Sequence, residues 1–114
     1  MSSSLLIRFL TVALIVLSSK AGAGYNANFQ GKITHVLTYT NSAQILIKVD
    51  GQPTSHPTCS TLDYLAIDAD TPDSIRHQML ARILAAHASG EVVTIGYDKD
   101  GDCVGTRIRV YRVG

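Results

Sequence analysis

The stretch "YDKDGDC", Tyr97–Cys103, crowds three aspartates, a lysine and a glycine into seven positions of a 114-residue chain. Two chemistries suit it. A calcium loop takes oxygen ligands at its first, third and fifth positions, glycine at the sixth and glutamate at the twelfth. Counted from Asp98, the aspartates fit, but Cys103 stands where the glycine belongs and Arg109 where the glutamate belongs. Asp100-Gly101 is also a strong turn dipeptide between two alternating runs, and the turn explains every residue of the stretch. A hairpin turn is therefore expected, with Cys103 just past it.

The four histidines, His35, His56, His77 and His87, give no ligand spacing. His77 and His87 fall on different faces of one helix, and no C-x-x-C or H-x-x-x-H is present, so no metal site is expected. His56 lies in "TSHPTC" beside Ser55, Thr58 and Ser60, but no G-x-S-x-G frame would turn these and Asp63 into a nucleophile and base. His35, in the middle of an apolar strand, reads as a hydrogen-bonded, inward histidine or as a ligand contact. Arg107 and Arg109 share a strand face with Tyr111, while Arg112 takes the other. That face suits solvent or an anionic partner. Asp68 and Asp70 precede a helix and read as partners of its dipole.

Several features bound the compartment. Arg8, the apolar run "FLTVALIVL" and the small-x-small pattern Ala21-Gly22-Ala23 read as a signal peptide over residues 1–23. The run is too short for a stable span, so no membrane segment is expected after cleavage. Residues 24–114 then form one small domain, whose formal charge falls from +1 to −1 as Arg8 and Lys20 leave. A near-neutral domain lacks the basic face that nucleic acid rewards. Cys59 and Cys103 in an oxidising compartment read as one disulfide, closing a loop of about 44 residues. A secreted or periplasmic location follows.

The elements that must position these groups are one helix and five strands. Pro72 fits a first helical position after Thr71, Asp73 favours the positive end of the dipole, and Gly90 ends the helix. Ile75, Met79, Ile83 and Ala86 recur along one face, widened by Leu80 and Leu84. Strands are expected at 29–40, 43–50, 62–69, 91–98 and 106–113. The first puts Phe29, Ile33, His35, Leu37 and Tyr39 on one face, and its Gly31 marks a bulge or a close approach. Two prolines and a glycine leave 51–59 as a loop. The order β1-β2-β3-α-β4-β5 is that of an OB-fold, a five-stranded Greek-key barrel. A helix lying across an open sheet is the competing arrangement.

"NFQGKITHV", the helix and "ASGEVVTIGYD" together resemble the B subunits of bacterial AB5 toxins, of the subtilase-cytotoxin and typhoid-toxin type. The resemblance implies a secreted OB-fold chain that forms a homo-pentamer, binds cell-surface glycans and accompanies an A-type partner chain. A free-standing secreted relative of the fold is the other form it allows. It also implies a sugar contact at Gln30, where the family carries serine, and at Tyr97, which matches a family tyrosine. The expected function is thus a non-enzymatic binding module without cofactor, its ligand near Gln30, His35 and Tyr97. The alternative is a secreted inhibitor of another protein that docks through the disulfide-tied 51–59 loop.

Overall fold

The computed structural model describes residues 24–114; the leader expected at 1–23 lies outside them. The chain is mainly β with a single α-helix among the described residues. Its strands are β1 (Ala27–Leu37), β2 (Ile45–Val49), β3 (Leu65–Ile67), β4 (Val92–Tyr97), β5 (Cys103–Val104), β6 (Arg107–Ile108) and β7 (Arg112–Val113). The helix α1 (Asp73–Ser89) lies between β3 and β4. No described helix is long and apolar enough to cross a membrane.

β1 organises the sheet because it is long enough to serve two partners. Its first half, Ala27 to Lys32, pairs antiparallel with β4, and its second half, Ile33 to Leu37, pairs antiparallel with β2. The five-stranded order is β3-β2-β1-β4-β7. At Gly31 the backbone carbonyl of Asp50 packs where a side chain would start, so the close approach expected there is real. The bulge lies further on, between Ile33 and His35. Thr34 is the extra residue, and its hydroxyl donates to Lys48 O at 3.2 Å. One added residue reverses the alternation beyond it. Val36, not His35, therefore packs on the core, and His35 is exposed, contrary to the inward position its sequence phase implies.

The last strand also differs from expectation. The 106–113 run is divided among three partners. Arg107–Ile108 pair with β5, Arg109 makes a single parallel bridge to Ala66, and Arg112–Val113 pair with β4. Val110 N–H donates to Ala66 O at 2.8 Å in that bridge. A continuous ladder between the two sheet edges is absent, so the strands form a five-stranded antiparallel sheet and a separate β5–β6 hairpin rather than a closed barrel. The tight turn of that hairpin is at Gly105, φ +59°, four residues beyond Gly101, so Cys103 precedes the turn instead of following it.

The helix behaves largely as its pattern predicts. Ile83 and Ala86 are buried, Met79 and Leu80 pack against the core, and Ile75 and Leu84 flank the stripe in solvent. Pro72 sits one place earlier than expected, at the N-cap, and no side chain caps the end. Gly90 takes the left-handed conformation, φ +71°, and its N–H donates to Ala86 O at 2.9 Å. The core joins α1 to Ile45, Ile47, Val49, Leu65, Ile67, Val93, Ile95 and Ile108.

Candidate functional site

The expected disulfide forms between Cys59 and Cys103, with Cα atoms 5.7 Å apart. It fastens the 51–59 loop to the segment after β4. His56 reinforces the junction. Its Nε2 lies 2.8 Å from Asp98 O, and its Nδ1 accepts from the Thr58 and Cys59 amides at 3.2 and 3.0 Å. Those partners require a proton on Nε2 and none on Nδ1. His56, Cys59 and Cys103 bring their ligating atoms within 4.8 Å, but the two sulfurs are bonded to each other and both imidazole nitrogens are engaged. A disulfide sulfur is not the thiolate that binds a metal.

The aspartate stretch is a loop ordered by its own first residue. Asp98 accepts from the backbone amides of Asp100 and Asp102 at 2.9 and 3.1 Å. The Asn26 amide nitrogen donates to both Asp98 and Asp100, at 2.9 and 2.7 Å, filling the space between two carboxylates that a cation would need. The Asp100 N–H first, then Asn26 and Asp102, hold the Asp98 carboxyl below its ordinary value although burial acts the other way.

A cleft of about 280 Å³ opens beside this loop, at the start of α1. Three segments meet there. Asp68 and Asp70 follow β3, Ile75 and Met79 come from α1, and Arg109 to Tyr111 link β6 to β7. The Ala66–Arg109 bridge draws the third segment against the first. Arg109 is the hub of the cleft. Its Nε donates to Asp102 at 2.8 Å, Nη1 to Asp68 at 2.7 Å and Nη2 to Cys103 O at 3.5 Å. The Tyr111 hydroxyl also donates to Asp102, and the Arg109 guanidinium lies 6.0 Å from the centroid of the Tyr111 ring. Tyr25 packs at 6.4 Å on Tyr111 and over Gly96.

This network shifts its members in opposite directions. The Asp70 amide and then Arg109 hold Asp68 below the ordinary carboxylate range. Burial works to lower Arg109, but Asp68 and Asp102 outweigh it and raise it. The Asp102 carboxylate, helped by burial, pushes the Tyr111 hydroxyl above its ordinary 10.0. Each of these three shifts favours the form the group ordinarily carries near neutrality: the Asp68 carboxylate, the Arg109 cation and the neutral Tyr111 hydroxyl.

The three residues singled out from the sequence do not converge. Gln30 is exposed on the outward face of β1, where its amide donates to Thr94 at 3.3 Å. Tyr97 turns to the opposite, core-facing side and meets Phe29 edge-on at 5.9 Å. His35 lies beyond the bulge, 6.2 Å from the Tyr64 ring, which Lys48 and Arg107 also approach at 5.9 Å each. By position in the sequence Asp68 and Asp70 read as dipole partners alone; the structure joins Asp68 to Arg109. The alternation that puts Arg109 and Tyr111 on one face was the available signal. Its partners are set by a bridge between residues 43 positions apart in the chain. No family model, no curated protein and no solved structure matches the chain.

Proposed function

We propose that this chain is an exported, non-enzymatic binding module that takes a glycan-type ligand in the cleft between Asp68, Asp70, Arg109 and Tyr111. One observation carries the reading: planar polar side chains, the Tyr111 ring and the apolar Ile75, Met79 and Val110 line one cleft. Hydroxyl-rich rings are held by such a combination of acceptors, donors and apolar surface. The volume lies just under the about 300–1,000 Å³ of drug-sized ligand pockets, which suits one or two sugar rings. On this reading the ligand site moves from Gln30, His35 and Tyr97 to the cleft.

The same proposal takes the sheet as an OB-like barrel whose closure is reduced to the Ala66–Arg109 bridge. Kinship with toxin B subunits, pentameric assembly and an A-type partner belong to it as well. Their support is the resemblance at Phe29–Gly31 and Gly90–Tyr97 together with a long first strand shared between two half-sheets. Glycan-array binding by the oxidised protein, lost in Tyr111→Ala while the denaturation midpoint shows a retained fold, is the expected result. A featureless array with sialylated, neutral and amino glycans removes the ligand claim. The mass of the protein in solution tests assembly, a pentamer supporting the toxin-like form and a monomer the free-standing one.

A second reading has its own observation. The 51–59 loop is held at three points: the disulfide, His56, and Gln52, whose amide nitrogen donates to Leu62 O and Asp63 O at 2.9 and 3.0 Å. Thr54, Ser55 and Pro57 remain exposed on it. A loop already ordered loses little entropy on docking, as a protein inhibitor requires. Retained capture of a protease target by the Tyr111→Ala variant would favour this reading over the first.

A further inference from the structure

We infer that the cleft is selective for the sign of its ligand: it accepts neutral or amine-bearing sugars and rejects carboxylate-bearing ones. The inference rests on the reading of the cleft as a glycan site and states which class of glycan fits. It follows from which lining groups still have hydrogen-bonding capacity. Arg109 is the cation lining the cleft, and each arm of its guanidinium already donates to Asp102, Asp68 or Cys103 O. Two carboxylates already flank that guanidinium, so an incoming carboxylate would be a third anion on one cation and would lie close to Asp68 and Asp102. Asp68 and Asp102 are only 22% and 31% exposed as side chains, so solvent screens that repulsion less than it would at an open surface.

Asp70 stands in the opposite condition. Its carboxylate lines the cleft, is exposed, and has no side-chain partner among the described residues. It offers two acceptor oxygens and no donor. A ligand that brings hydroxyl or ammonium donors satisfies it; a second anion repels it.

The helix start would by itself favour an anion, since the dipole is positive there. Asp73 already answers it in the first turn, and the Arg76 guanidinium donates to Asp73 at 2.6 Å and to Thr71 O at 2.7 Å. Arg76 is thus turned back on its own helix. The Tyr111 hydroxyl agrees in sign: Asp102, then burial, make it harder to ionise despite the nearby Arg109.

The test follows the backbone amides of Asp68–Thr71 and Arg109–Tyr111 by nuclear magnetic resonance in the oxidised protein. Three probes are titrated: a methyl glucoside, a methyl glucosaminide and a methyl sialoside. The glucosaminide should bind about two- to fivefold tighter than the glucoside, the size of one exposed ion pair. The sialoside should leave these amides without a saturable shift. Asp70→Asn, an exposed change that keeps the backbone amide, should bring the glucosaminide down to the glucoside's affinity. Saturable binding of the sialoside at these amides overturns the inference and leaves the glycan reading standing. Absence of saturable shifts with all three probes sinks the glycan reading and the inference with it.

Discussion

At Gly31 the carbonyl oxygen of Asp50 occupies the space where any other residue would carry its Cβ. Backbone cannot yield as a flexible side chain can, so Gly31→Ala should destabilise by about 3 kcal/mol or more. A shifted urea midpoint checks it; a loss under about 1 kcal/mol would mean that the Asp50 turn moves freely. The sequence signalled a close approach here, because glycine in a β-branched strand has few other uses. It did not signal the bulge at Thr34, and so misplaced His35. Nothing in the local pattern marks which residue of a strand is passed over by its neighbour. Asp68 carries a pH dependence with a definite sign. Its folded value lies below the ordinary 3.8, so its contribution is full above the ordinary value and is lost as the pH falls through the lower, folded one. Asp63, Asp73, Asp98 and Glu91 are lowered too and act in the same direction. The urea midpoint should stay level from about pH 7 to pH 5 and fall below about pH 4, less steeply in Asp68→Asn. An unchanged acid limb in that variant would separate Asp68 from the effect.

The elements meet through a few bonds that their own sequences leave open. The bulge in β1 frees the Ile33 carbonyl from a regular ladder, and His87 Nδ1 reaches it at 2.9 Å from the last turn of α1. A helix end is thereby tied to the strand it crosses. His87→Ala should weaken the fold by about 1 kcal/mol, the net value of one such bond. Hydrogen exchange should also quicken at the C-terminal turn of α1, and unchanged protection there would show that the bond is dispensable. The helix was legible because its apolar spacing, its proline and its final glycine all agree. The strands after β4 were less so. Their residues alternate correctly, but alternation does not say that one run will serve β5, β3 and β4 in turn. That division is set by which strand each part of the run meets: β5 at Arg107–Ile108, Ala66 at Arg109 and β4 at Arg112–Val113.

The whole molecule is small, and its disulfide joins residues 44 apart. Replacing both cysteines by serine should remove about 3–4 kcal/mol. Loss of that size would lower both the urea midpoint and the melting temperature; an unaltered melting temperature would show that His56 and Gln52 hold the junction without help. The cleft depends on the same junction, since Arg109 donates to Cys103 O and Asp102 lies beside it in the chain. Composition and local pattern by themselves determined the class of the described residues: mainly β, one helix with its ends marked, and one cysteine pair. These are properties of short segments, and short segments carry their own periodicity and end signals. Only the tertiary structure decided that Gln30 and Tyr97 face opposite ways, that Asp68 meets Arg109, and that Ala66 of the edge strand β3 bridges Arg109. Each of these depends on register and twist accumulated over distant strands, which no local pattern records.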